Sequence, residues 1–243
     1  MIKTLFIISS ILISNIIAND YSLYFNGLSD HVEIENAVLD SYSNFTVLGK
    51  FNTLDVDDDD NDEKYIIHSA EPELKVYISD GKLHAKVKTD VSWSPTVSAD
   101  IDIDSWYAFA VTYESGESIK MYLDGNLESS SNINTSGFSN DGNGEKLMFG
   151  KSWNGDGTAY IGNLDNFSFW STNLDQSKIN LLTNTIPTCN DDNILAFWSY
   201  NAGAGDVLVD QCIGENNGII FGAEWQERIN GDGLLGCNDT LAC

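Results

Sequence analysis

Between Tyr21 and Trp225 apolar residues recur at every second position, in short runs broken by turn residues, and this period constrains the fold more than any other feature. Leu74, Val76 and Ile78 alternate with Lys75 and Tyr77; Ser79-Asp80-Gly81-Lys82 turns the chain; Leu83, Ala85 and Val87 then alternate with His84 and Lys86. A side-chain period of two puts one set of residues on a buried face and the other in solvent, so this stretch is a hairpin with one face packed. A second hairpin runs from Trp106 to Tyr113, turns at Glu114-Ser115-Gly116-Glu117, and returns through Ile119, Met121 and Leu123 to a further turn at Asp124-Gly125.

The same reading predicts strands over 22–25, 32–34, 45–51, 65–69, 146–150, 163–170, 195–200 and 218–225. One helix is expected over 174–182, where Leu174, Ile179 and Leu182 share a face, Asp175 lies in the first turn and Pro187 follows. A dozen strands with one short helix must bury their apolar faces against one another. The expected fold class is therefore all-β, a sandwich of two antiparallel sheets.

The amino terminus sets the compartment. Lys3 precedes a nearly unbroken apolar stretch from Leu5 to Ala18, and charge begins at Asp20. This order predicts a secretory signal peptide over 1–18, too short for the roughly 20 residues of a spanning helix. The expected organisation is a single domain over 19–227 and a Gly-, Asp- and Cys-containing tail over 228–243. An exported chain with an even number of cysteines favours disulfides, and proximity in sequence suggests Cys189–Cys212 and Cys237–Cys243. The formal net charge of −25 repels phosphate backbones and anionic lipid, so nucleic acid and membrane surfaces are excluded as partners.

Several segments, in order, carry a family likeness. Tyr21-Ser-Leu-Tyr-Phe-Asn-Gly-Leu-Ser-Asp-His-Val-Glu-Ile34 resembles the first hairpin of laminin G-like jelly rolls in the concanavalin A-like lectin/glucanase superfamily. The 106–113 and 119–125 segments resemble that family's central hairpin, and Gly162 to Trp170 with 174–179 resembles its late strand and trailing helix. Ile194 to Tyr200 with Asp210 and Trp225 resembles the closing segment of exported members. The tail from Gly236 resembles the start of a short Cys-containing repeat of secreted bacterial proteins, which implies that the chain belongs to a larger multidomain protein.

The resemblance implies a two-sheet antiparallel jelly roll and a structural calcium between the opening and late strands. The matching positions are Asn26, Asp30 and Asp165, with Asn26 where relatives usually carry Asp. Asn26 and Asp30 could equally serve only to set a turn. A rival calcium loop at Asp57, Asp59 and Asn61 has one-three-five spacing, but no glycine follows and His68 stands where the twelfth-position Glu belongs, so it reads as a solvated charge run.

Sugar sites on sandwiches pair aromatic faces with amides and carboxylates. Trp106, Trp170, Trp198 and Trp225 fall in or beside expected strands, where core packing is the default; Trp93 and Trp153 fall in loop-like sequence, with Tyr160 near the second. These three are the expected ligand-binding residues, against an alternative in which they pack as a lid over the sandwich end. No catalytic residues are expected. The superfamily's glucanases carry a Glu-x-Asp-x-Glu strand that this chain lacks. Its nearest imitation, Asp100-Ile-Asp-Ile-Asp104, would spread its outer carboxylates about 13 Å at Cα, against about 5–5.5 Å between the carboxyls of a retaining pair.

The sequence thus predicts a secreted or cell-surface, non-enzymatic module that binds an extracellular glycan with a structural calcium. The alternatives are a protein-binding cell-surface domain and a divergent glycoside hydrolase.

Overall fold

The structure, a computed structural model, describes residues 20–36, 38–40, 42–56, 62–70, 72–135, 137, 146–152 and 158–228. The expected signal peptide, Trp153, the centre of the acidic loop, Cys237 and Cys243 lie outside the described residues.

Two sheets face each other. The first runs in the order β10 (Asn126–Asn132), β9 (Ser118–Leu123), β8 (Trp106–Glu114), β3 (Asn44–Thr53), β13 (Ile161–Trp170), β1 (Tyr21–Asn26) and β17 (Glu224–Glu227), with β14 (Ile194–Trp198) also paired to β13. The second runs β15 (Val207–Leu208), β16 (Gly218–Phe221), β2 (His31–Ile34), β11 (Leu147–Phe149), β4 (Lys64–Ala70), β5 (Glu73–Ser79), β6 (Lys82–Val87) and β7 (Val97–Asp100). Pairing is antiparallel throughout except for β12 (Thr158–Ala159), which lies parallel to β4. The chain crosses repeatedly between the sheets, β1 to β4 singly and then in consecutive runs, β4 to β7 in the second sheet and β8 to β10 in the first.

The inward set of each strand builds the core. Leu74, Val76, Ile78, Leu83, Ala85 and Val87 are fully buried, and Lys75↔Lys86 and Tyr77↔His84 pair on the opposite face. At the centre Phe149 meets Phe167, Phe169 and Trp198 edge-to-face at centroid distances of 4.8, 6.2 and 5.3 Å. Edge contacts of this kind add about 0.5–1.5 kcal/mol per pair beyond area burial. Gly49 leaves the room for this cluster, since a Cβ there would lie 2.2 Å from the Phe167 ring.

The helix α1 (Gln176–Asn184) starts later than expected because Asp175 is its N-cap, the carboxylate accepting from Lys178 N. It covers the outer face of the first sheet, where Ile179 and Leu182 join Leu48, Ala110, Tyr122, Trp170 and Leu174 in a second, smaller core. Cys189 and Cys212 form the expected disulfide, linking the segment after α1 to the loop after β15.

Four strands escape the sequence reading: β7, β10 and the two-residue β12 and β15. β10 is polar along its length and mostly exposed, so it has no apolar period to detect. β7 has only Val97 and Ala99 facing inward.

Candidate functional site

The outward face of β4, β5 and β6 gathers residues that the sequence alone presents as ordinary solvent-facing positions. Cross-strand register makes one row of His68, Lys75 and Lys86 and a second of Tyr65, Tyr77, His84 and Ser98. Tyr65 and His68 are an odd number of residues apart and would face opposite ways in a regular strand. A register shift between Tyr65 and Ile67 inserts an extra residue, so both face outward. Their rings stack at 4.9 Å, and Tyr77 stacks on His84 at 5.1 Å.

Above this face the chain after β6 folds back through a turn in which Thr89 N–H donates to Ser92 O, and an isolated bridge joins Lys88 to Trp93. That return lays Trp93 over the lysines. The Nζ atoms of Lys75, Lys86 and Lys88 stand 5.1, 5.2 and 5.9 Å from the Trp93 ring centroid. Trp93 is half-buried, keeping part of its indole in solvent.

Two carboxylates neutralise most of this charge. Glu63 accepts from Lys86 at 2.7 Å and from the Tyr65 hydroxyl, with Lys75 at 3.8 Å. Glu73 pairs with Lys88 at 2.9 Å and with His68 Nε2 at 3.6 Å, and His68 Nδ1 shares a hydrogen bond with Ser152 Oγ. Burial alone would raise both carboxyls, but hydrogen bonds from Lys86 and Tyr65 to Glu63, and from His68 and Lys88 to Glu73, outweigh it and hold both below the usual glutamate range. Burial lowers His84 and raises the Tyr77 phenol. At neutral pH the face therefore holds ammonium and carboxylate groups in fixed geometry around an aromatic plane, with Lys86, Lys88 and Glu63 partly exposed and Lys75, Glu73 and His68 buried. Five of the chain's twelve basic residues lie between Lys64 and Lys88, although the molecule as a whole is strongly acidic.

Of the expected ligand residues, only Trp93 lies on this surface. Tyr160 is fully buried, its hydroxyl donating to the carbonyl of Asn52 at 2.7 Å and its ring edge-on to Phe25, so it is a core residue and not a ligand contact. Trp153 lies outside the described residues.

The three residues expected to share a calcium are not brought together. Asp30 accepts from Asn26 N and Asn26 Oδ1 accepts from Leu28 N, which is the turn-setting role. Asn26 pairs with Ile161, four residues along β13 from Asp165, about 13 Å at roughly 3.3 Å per residue. Asp165 is buried opposite Lys50, accepts from Arg228 Nη1 at 2.7 Å and from Asn166 Nδ2 at 2.8 Å, and so has its positive partners from the chain itself. These residues do not fit a single ion. Among the described residues no cluster of three His, Cys, Asp or Glu side chains is placed to hold a metal. The Asp100-to-Asp104 run also departs from expectation: β7 ends at Asp100, and Asp104 has a positive φ of 54° in the following turn, so the three aspartates do not share a strand face.

The residues that the sequence reading missed are Glu63, Glu73, Lys75, Lys86 and Lys88. The available signal was a solvent-facing set unusually rich in aromatics, with Tyr77 and His84 between the lysines.

Residues 25–180 match the Laminin_G_3 family model, of the Concanavalin A-like lectin/glucanases superfamily. No match was found among curated protein sequences. Among solved structures, a candidate carbohydrate binding protein from Bacteroides ovatus superposes with a TM-score of 0.67 at 17% identity, over 87% of this chain and 60% of that one. This chain thus spans about 60% of that protein's length. The heptameric SAP-like pentraxin of Limulus polyphemus gives 0.58 at 16% identity, over 86% of this chain and 96% of that one. The receptor binding domain of botulinum neurotoxin mosaic serotype C/D gives 0.51 at 18% identity, over 68% of this chain and 41% of that one. At these identities the likeness establishes the fold. Among the described residues no helix is long and apolar enough to cross a membrane.

Proposed function

This chain belongs to the laminin G-like branch of the concanavalin A-like lectin/glucanase superfamily, and from that premise we propose that it is a secreted, non-catalytic module that recognises glycans through the outer face of β4–β6. The observation that carries this reading is the half-buried indole of Trp93 held over Lys75, Lys86 and Lys88, with Glu63 and Glu73 fixed beside them. A sugar offers an apolar ring face to an aromatic plane and hydroxyls to charged groups at its edge, and this face supplies both. Because the charges are already paired, they hold their positions without the ligand, which reduces the ordering cost of binding.

The non-catalytic reading rests on the carboxylates. Glycoside hydrolysis by a carboxyl pair needs one member held protonated as the general acid. Glu63 and Glu73 are both pulled the other way. The test is a glycan array probed with wild type and Trp93→Ala. Selective binding that disappears in the variant supports the proposal, whereas an identical profile from both proteins rejects this face as the site.

A further inference from the structure

On the side of the sandwich where β17 and β15 end the two sheets, the chain leaves a slot of about 240 Å³. Its floor is core, formed by Tyr200 and Leu208. Trp225, directly opposite Leu23 in the β1–β17 register, forms one wall, and its Nε1–H donates to Gly205 O at 2.8 Å, fixing the indole. Val209 stands across from the floor with 47% of its surface exposed. Asn201 and Gln211 supply amides at the rim.

The rim is built before any ligand arrives. Asp210 is buried and its carboxylate accepts from the backbone N–H groups of Phe197, Cys212 and Asn216, which fixes the segment carrying Val209 and Gln211. The Cys189–Cys212 disulfide anchors the same segment. Asn201 Oδ1 accepts from Tyr21 N at 2.8 Å, orienting its amide, and Gln211 has no side-chain partner among the described residues. In a chain with 37 acidic residues, no charged side chain among the described residues lines this slot. An aromatic wall, an apolar floor and an uncharged amide rim match a ligand with one apolar face and neutral hydroxyls, and a charged ligand would go without a counter-charge. A cavity of about 150 Å³ holds a benzene ring, so the slot is on the scale of one small ring.

We propose that this slot is a second, separate subsite that takes one pyranose ring of a neutral glycan. It does not depend on the Trp93 face.

The test is saturation-transfer NMR with the methyl glycosides of galactose, glucose and mannose, applied to wild type, to Trp93→Ala, and to Ala202→Arg and Gln211→Ala each made in the Trp93→Ala background, with every protein checked by thermal melt. Ala202 is exposed at the slot, so an arginine there obstructs the mouth without disturbing the core. Wild type is expected to transfer to at least one glycoside. Trp93→Ala alone should still show transfer, which the slot then supplies; in that background Ala202→Arg should abolish it, and Gln211→Ala should weaken affinity about fivefold as one lost hydrogen bond. No transfer to any of the three glycosides would overturn the proposal. So would transfer that survives Ala202→Arg in the Trp93→Ala background, or transfer lost in Trp93→Ala alone.

Discussion

Tyr65 and His68, three positions apart on β4, stack in parallel at 4.9 Å on the same face of the sheet, because one extra residue between them returns the second ring to the outside. The stack places His68 against Glu73 and the Tyr65 hydroxyl against Glu63, so one irregularity in the ladder organises both carboxylates beneath Trp93. Local backbone geometry thus becomes site chemistry.

The carboxylates of Glu63 and Glu73 sit below their unfolded range, so each contributes stability that is present above about pH 4.5 and lost as the pH falls through the folded value. Glu63→Gln should lower the unfolding free energy at pH 7 by about 1–3 kcal/mol, since it leaves Lys86 and Lys75 without their partner. Urea melts at pH 7 and pH 3 check this; the gap between wild type and variant should close at the lower pH.

Asp165 gives the opposite slope. Burial pushes its carboxyl up to about 7, against the pull of Arg228 and Lys50. Between about pH 4 and pH 7 the folded state keeps a proton that the unfolded chain releases, so this group's contribution to stability falls as the pH rises across that window and is flat beyond it. Relative to Asp165→Asn, the stability of wild type should fall as the pH rises from 5 to 8. Parallel pH dependence in the two proteins would contradict the assignment.

Gly49→Ala should be among the most damaging single-methyl changes in the molecule. The added carbon would lie 2.2 Å from the Phe167 ring and 2.9 Å from Phe109, both on the inner face of the same sheet. Overpacking of this kind costs about 1–3 kcal/mol or more. A fall in melting temperature with an unchanged far-UV spectrum is expected.

Cys212→Ser removes a cross-link between residues 23 apart in sequence and should cost about 3 kcal/mol by the chain-entropy argument. Chemical denaturation with and without reductant checks it, because wild type under reducing conditions should approach the variant.

The sandwich was legible because its signal is periodic: Leu74, Val76 and Ile78 can satisfy only a sheet with one buried face. The Cys189–Cys212 pair followed from proximity in a chain expected to be exported. β10 was not legible, because a strand held by backbone bonds at an edge needs no apolar side chains. Tyr160 was misplaced because a tyrosine beside a loop-like stretch looks exposed, while its hydroxyl in fact finds the Asn52 carbonyl inside the core. The lysine ring around Trp93 depends on register across three strands and on an irregularity in β4, neither of which any local window contains. Asp165 read as an ion ligand because its partners, Lys50 and Arg228, are 115 residues before and 63 residues after it in the sequence.

The most direct measurement is calorimetric titration of the strongest array glycan into wild type, Trp93→Ala and Lys86→Met. The account predicts at least about tenfold weaker binding for Trp93→Ala, as for an aromatic anchor, with unfolding free energy lowered by no more than about 2 kcal/mol for the lost cation–π contacts. Lys86→Met should weaken binding by a smaller factor. Equal dissociation constants for all three folded proteins would contradict the placement of recognition on the outer face of β4–β6.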